Sequence, residues 1–149
     1  MRNDLSVILL GGLILGGCAS EPQELPFRPI ANVSELMRTM IDPAADVVWN
    51  SIGTIVTSEG EEHWEPETEE EWQAVINGAV TLTESANLLM LGERVQDQDT
   101  WIRLSQGMAD AGLLAWKAAE SKDVEAMFSI GADVYNSCVQ CHNLYWVND

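Results

Sequence analysis

Apolar positions recur every three or four residues over most of this chain, and no strand-like alternation lasts longer than a few residues. A first helical stretch is predicted from about Val33 to Val56, interrupted at Asp42-Pro43. There Asp suits an N-cap and Pro the position after it, so a kink or restart is expected. Beyond it Ala44, Val47, Val48, Ile52 and Ile55 keep helical spacing, and a polar loop follows. A second helix, from about Glu69 to Leu91, opens with the capping box Thr68-Glu69-Glu70-Glu71 and stops at Gly92. Its apolar face includes Trp72, Val75, Ala79, Ala86 and Leu89. A third helix, from about Thr100 to Glu120 with Asp99 as its N-cap, turns Trp101, Leu104, Met108, Ala115 and Ala119 to one side. A fourth begins near Asp123; Met127, Phe128, Val134, Tyr135 and Cys138 share a face that Cys141, His142 and Tyr145 extend. Four amphipathic helices with short connections predict an all-α fold, an antiparallel four-helix bundle.

The first 31 residues stand outside that pattern. Arg2 gives a short positive start, Leu5 to Leu15 is mostly apolar, and Gly16, Gly17 and Cys18 follow. This apolar run is too short to span a bilayer and reads as the core of an export signal. The run Leu15-Gly16-Gly17-Cys18 resembles a bacterial lipoprotein box, which implies cleavage before Cys18 and lipid on its thiol. An ordinary secretory signal cut near Ala19 or Ser20 is the alternative. Pro22, Pro26 and Pro29 make residues 18–31 an extended tether between the anchor and a domain covering 32–149. An exported protein, periplasmic and held to a membrane face by lipid, is therefore expected.

Charge narrows the partners. The 149 residues carry 7 Lys and Arg against 24 Asp and Glu, a formal net charge of −17. Such a chain repels phosphate backbones, which argues against nucleic-acid binding and leaves two readings of the charge, a basic partner protein or a surface that simply keeps the chain soluble. Residues 59–71 hold eight Glu, together with His63, Trp64 and Pro66. The last three of those glutamates sit in the first turn of a helix and cap it, so the run reads as a cap and a solvated loop rather than a metal site.

The chemistry lies in Cys138-Val139-Gln140-Cys141-His142. Two thiols three residues apart on a helix can each add to one vinyl group of a haem, and the adjacent His then supplies an imidazole nitrogen to the iron. Two other readings of the same residues are a zinc site and a thiol redox pair. Zinc needs four ligands, and the only other His is His63 in the glutamate-rich stretch. A redox pair normally opens a helix, where the dipole lowers a thiol pKa, whereas this one closes a helix. Covalent haem is the favoured reading.

A four-helix chain with this motif near its C-terminus resembles the cytochrome c prime family, which includes low-spin relatives. The resemblance covers about Val33 to Trp146 in architecture, and its specific part is Gly131 to Tyr145. It implies an exported bundle carrying one haem c, with Cys138 and Cys141 as the covalent attachment points and His142 as the axial ligand. Tyr145 matches the aromatic residue three positions after the His; Trp146 stands where the family commonly has a basic residue. The resemblance further implies that the first helix covers the other haem face, and that homodimers are common.

On that helix Met37 and Met40 are the candidates for the sixth iron ligand. Met40 is preferred because the expected kink lets its thioether turn inward, with Met37 one turn away. Met127 shares a helix with His142 and cannot reach the opposite face, while Met90 and Met108 read as packing. Trp72, Trp101 and Trp116 read as core residues, and Trp49 lies off the main stripe, where a second subunit is a candidate neighbour. The expected function is single-electron transfer by a c-type cytochrome, not an enzyme. The alternatives are a five-coordinate haem protein that binds or detoxifies a small gas such as NO, and an accessory lipoprotein whose thiols bind zinc or exchange disulfides.

Overall fold

The computed structural model describes residues 27–146, so the segment expected to be an export signal, and Cys18 with it, lies outside the described residues. The described chain is mostly helical, with one small two-stranded sheet. Helix α1 (Val33–Leu36), a π-helical turn (Met37–Ile41) and α2 (Asp42–Trp49) run on as one rod. Strands β1 (Gly53–Thr57) and β2 (Gly60–Trp64) follow, then α3 (Glu69–Leu89), a 3-10 turn (Gly92–Arg94), α4 (Thr100–Ser121) and α5 (Val124–Tyr145).

The first helix departs from expectation at Pro43. Rather than stopping and restarting with Asp42 as a cap, it continues: Ile41 has helical φ and ψ, and the Asp42 N–H bonds the Met37 carbonyl five residues back. Proline lacks an N–H, and its ring crowds the carbonyl four residues earlier. A turn widened to five-residue spacing relieves that crowding without breaking the rod. The rod begins at a capping box that the hydrophobic pattern did not reveal. Asn32 Oδ1 accepts from the Glu35 N–H, and Glu35 Oε2 accepts from the Asn32 N–H.

The helix also ends earlier than its apolar spacing suggests, and residues 53–64 form a hairpin. The fold is therefore not purely α. Thr54, Ile55, Val56 and Thr57 are all β-branched, which favours extended backbone. Gly60, with φ of +144°, takes a conformation open to glycine on the far side of the Ser58-Glu59 turn. Gly53 faces Trp64 across the strands, and a Cβ there would lie 2.1 Å from the indole ring. Trp64 Nε1 donates to the Asn50 carbonyl at 3.0 Å and ties the hairpin to the end of α2.

The other helix starts show which short side chains act. Thr68 and Glu71 form the expected capping box, and Asp123, near which the last helix is expected to begin, caps it by accepting from the Ala126 N–H. Asp99 makes no side-chain cap bond. Asp97 takes that role, with Oδ1 accepting from the Asp99 and Trp101 N–H groups. Helix α4 ends in a left-handed Lys122, with the Asp123 N–H bonded to the Ala118 carbonyl.

Packing is uneven around the bundle. Helix α3 packs closely along α4, α4 along α5, and α2 along α3, whereas direct contact between α2 and α5 is sparse. The close seams are built from small residues. Ala79, Ala86, Ala115 and Ala119 are fully buried beside Leu82. A Cβ on Gly112 would lie 2.5 Å from Thr83 Oγ1 and 3.1 Å from its backbone N, so only glycine permits that approach of α4 to α3. On α5 the burial is narrower than expected: Met127 and Val134 are core, but Phe128 and Tyr135 are 61% and 58% exposed. Apart from the ring of Trp49 against Tyr135, that side of α5 has no helix packed closely over it, because contact with α2 is sparse. No helix among the described residues is long and apolar enough to cross a membrane.

Candidate functional site

Two hydrogen-bonding side chains, Arg94 and Tyr145, define one end of the bundle. Arg94, buried in the α3–α4 connection, donates from Nε and a terminal nitrogen to the Ala31 carbonyl at 3.0 and 2.8 Å. The Tyr145 hydroxyl, at the end of α5, donates to Asp97 Oδ2 in the same connection. That bond holds the Tyr145 hydroxyl up at about 12 and the Asp97 carboxyl below the usual carboxylate range. The Tyr145 ring also stands edge-on to buried Trp101, 5.0 Å between centroids, and Trp101 Nε1 donates to the Leu89 carbonyl at 2.8 Å. The start of the first helix and the end of α5 are thereby fixed side by side.

Just inside this clasp is a cavity of about 30 Å³. Its walls bring together Cys138, Cys141 and His142 from α5 with Met37 from the π-helical turn. Ile41, Asp42, Ala45 and Trp49 continue the first-helix wall, and Leu89, Leu104, Ser105 and Met108 close the floor from α3 and α4. Met40 is half-buried against the core but does not line the cavity. Trp49 is turned inward, edge-on to Tyr135 at 6.3 Å, rather than out toward a neighbour. His63 is on exposed β2, where Nδ1 pairs with Thr54 Oγ1 at 2.7 Å, far along the chain from this site. The sequence pattern missed Ala45, Asp42, Trp49 and Ser105 as cavity residues; their places one to three turns from Met37, or across from Cys141, carried no distinguishing motif.

Both thiols are shifted toward the neutral form. Burial pushes Cys138 up, and the Asp42 carboxylate adds to the effect against a hydrogen bond from Ser137. Burial likewise pushes Cys141 up, with Cys138 adding to it. A disulfide-exchange pair needs a thiolate, which a depressed pKa supplies. This environment does the opposite. Among the described residues no three His, Cys, Asp or Glu side chains gather as a metal cage.

The residues suit a tetrapyrrole better than its dimensions do. Two thiols and an imidazole share one wall, and a thioether faces them across an apolar cavity. The volume holds on the order of two waters, whereas a cofactor pocket measures about 300 Å³ or more. Haem therefore requires the first helix and α5 to move apart, along the seam where contact is already sparse. The chain matches no family model, no curated protein and no solved structure.

Proposed function

We propose that this chain is a c-type cytochrome that passes single electrons in a bacterial cell envelope, a divergent relative of the cytochrome c prime family. The observation that carries the reading is the meeting of Cys138, Cys141, His142 and Met37 at one cavity. Cys138 and Cys141 would hold the haem covalently, and His142 would bind its iron. Met37 is the sixth ligand favoured by its place in the cavity wall; Met40, one turn away, is the second choice. A haem held there would supply one-electron chemistry at iron, at a potential that a thioether ligand would raise.

The chain's own contribution is positional. Helix α5 presents both thiols and the imidazole from adjacent turns, the spacing that one helical face provides. The π-helical turn brings Met37 to the facing wall, and the Tyr145–Asp97 and Arg94–Ala31 bonds tie one end of each wall to the α3–α4 connection, leaving the rest of that seam to open. Leu89, Leu104 and Met108 exclude water from the floor, which favours the less charged state of a bound redox centre. Anchoring through lipid at Cys18 and a basic protein partner complete the proposal, the latter supported by the net charge of −17.

The deciding experiment is acid-acetone extraction of purified wild type and of the Cys138→Ala/Cys141→Ala variant. Haem should remain with wild-type protein and be extracted completely from the variant. Haem that survives extraction in the variant, or wild-type protein with no haem absorbance, overturns the reading. A ferrous wild type that is high-spin and takes up CO without displacing a ligand replaces electron transfer by the gas-binding alternative.

A further inference from the structure

Trp49 Nε1 and Ser105 Oγ both lie in the cavity wall, are inaccessible to solvent and have no hydrogen-bond partner. Two other buried side-chain atoms among the described residues, Trp116 Nε1 and Ser85 Oγ, also lack a partner, but neither residue lines this cavity, and other donors of the same types are satisfied. Trp64 and Trp101 each donate to a backbone carbonyl, at 3.0 and 2.8 Å. Thr39, Thr81, Thr83 and Ser121 turn their hydroxyls back onto carbonyls of the preceding turn. Ser137, in the same cavity wall, bonds the Val134 carbonyl at 2.7 Å. Ser105 is only 2% exposed, yet its hydroxyl makes no such bond. A buried donor left without an acceptor is costly, so native proteins rarely retain one.

The cavity lining contains no Lys or Arg, and it includes the acidic side chain of Asp42, which repels a second carboxylate. A ligand bearing carboxylates would find no cation there and would depend on neutral N–H and O–H donors. We infer that Trp49 Nε1 and Ser105 Oγ are the donors for the carboxylates of the group bound in this cavity, and thus positioning residues for it. The inference rests on the haem reading above, since haem c carries two propionates. The two donors come from different elements, α2 and α4, so together they restrict how the bound group can rotate between its walls. The edge-on Tyr135 ring holds the Trp49 indole in place, which preorganises its N–H.

The test uses full-length haem-loaded protein and the variants Trp49→Phe, Ser105→Ala and the two combined. Phe keeps an aromatic ring against Tyr135 while removing the N–H, and Ser105→Thr serves as the variant that retains a hydroxyl. Two readouts respond to carboxylate hydrogen bonding: the propionate bending bands in resonance Raman spectra and the midpoint potential. A carboxylate stripped of donors keeps more negative charge near the iron and stabilises the ferric state. The combined variant should therefore shift the propionate bands and lower the potential, each single variant should do so in part, and Ser105→Thr should stay near wild type. Unchanged bands and potential in the combined variant overturn the inference. Wild-type protein without covalent haem defeats the parent reading instead, and is recognised before any variant is measured.

Discussion

The seam between α3 and α4 and the seam between the first helix and α5 are made by opposite means. The former is lined by alanine and by Gly112, whose missing side chain lets two backbones approach until Thr83 nearly fills the space. The latter is lined by Met37, Trp49, Cys138, Cys141 and His142, which leave an internal space and two idle donors. Small residues convert directly into close packing and fixed geometry. Large polarizable residues around a void are poor at closing a core and well suited to receiving something into it. The stability of this bundle is thus concentrated on one side and its chemistry on the other.

The contrast is broken most sharply by removing the ligand proposed from the open seam. Met37→Leu should abolish the weak near-infrared charge-transfer band of a sulfur–iron bond in ferric protein, while Met40→Leu should retain it. Loss of the band in Met40→Leu alone moves the ligand by one turn. At the closed seam, Gly112→Val should lower stability by about 2–3 kcal/mol, because the added carbons meet α3 backbone that cannot yield. Urea unfolding of haem-free protein measures it.

The clasp at the cavity end should respond to pH. The Tyr145 hydroxyl lowers the Asp97 pKa, so this carboxylate contributes stability above the usual carboxylate range, and the contribution is lost as pH falls through its depressed value. Tyr145, raised by the same bond, contributes below its ordinary value of about 10, and that is lost as pH rises through about 12. Asp97→Asn should flatten the acid side of a stability–pH curve; a curve parallel to wild type there would show that the clasp adds nothing. The smallest effect belongs to the open seam. Ala45→Val adds carbons beside an existing void and should change haem-free stability by less than about 1 kcal/mol. A loss matching that of Gly112→Val would erase the distinction between the seams.

Much of this was legible in the amino-acid pattern, for identifiable reasons. The apolar stripe on α3 and the Thr68–Glu71 box are local, and the structure contains both. Cys138, Cys141 and His142 are also local, being one helical face, and they do meet at a cavity. What escaped depended on competition between neighbours. Ile52 and Ile55 fit a helical period, but four β-branched residues in a row and Gly60 favoured a hairpin. Asp99 looked like a cap until Asp97, two residues earlier, supplied the acceptor. Phe128 and Tyr135 have core spacing, yet no helix packs closely over that side of α5. The choice between Met37 and Met40 turned on a kink at Pro43 that a π-helical turn replaced, and such turns leave little trace in composition.

The hairpin at the far end has a consequence for the molecule as a charged body. Glu59, Glu61, Glu62, Glu65 and Glu67 lie in or beside it, and Glu69, Glu70 and Glu71 follow at the start of α3. Arg28, Arg38, Arg94 and Arg103, every arginine among the described residues, belong to segments near the clasp. Helices of 22 residues separate the two groups by about 33 Å. Lys117 and Lys122 lie at the glutamate end, and Glu35, Glu93, Asp97 and Asp99 lie at the clasp, yet the hairpin end is still the more negative, so the bundle carries a dipole along its long axis on top of its net charge. In the field of any charged surface it experiences a torque as well as a force, and it approaches end-on: glutamates first toward a cation-rich surface, clasp and cavity first toward an anionic one.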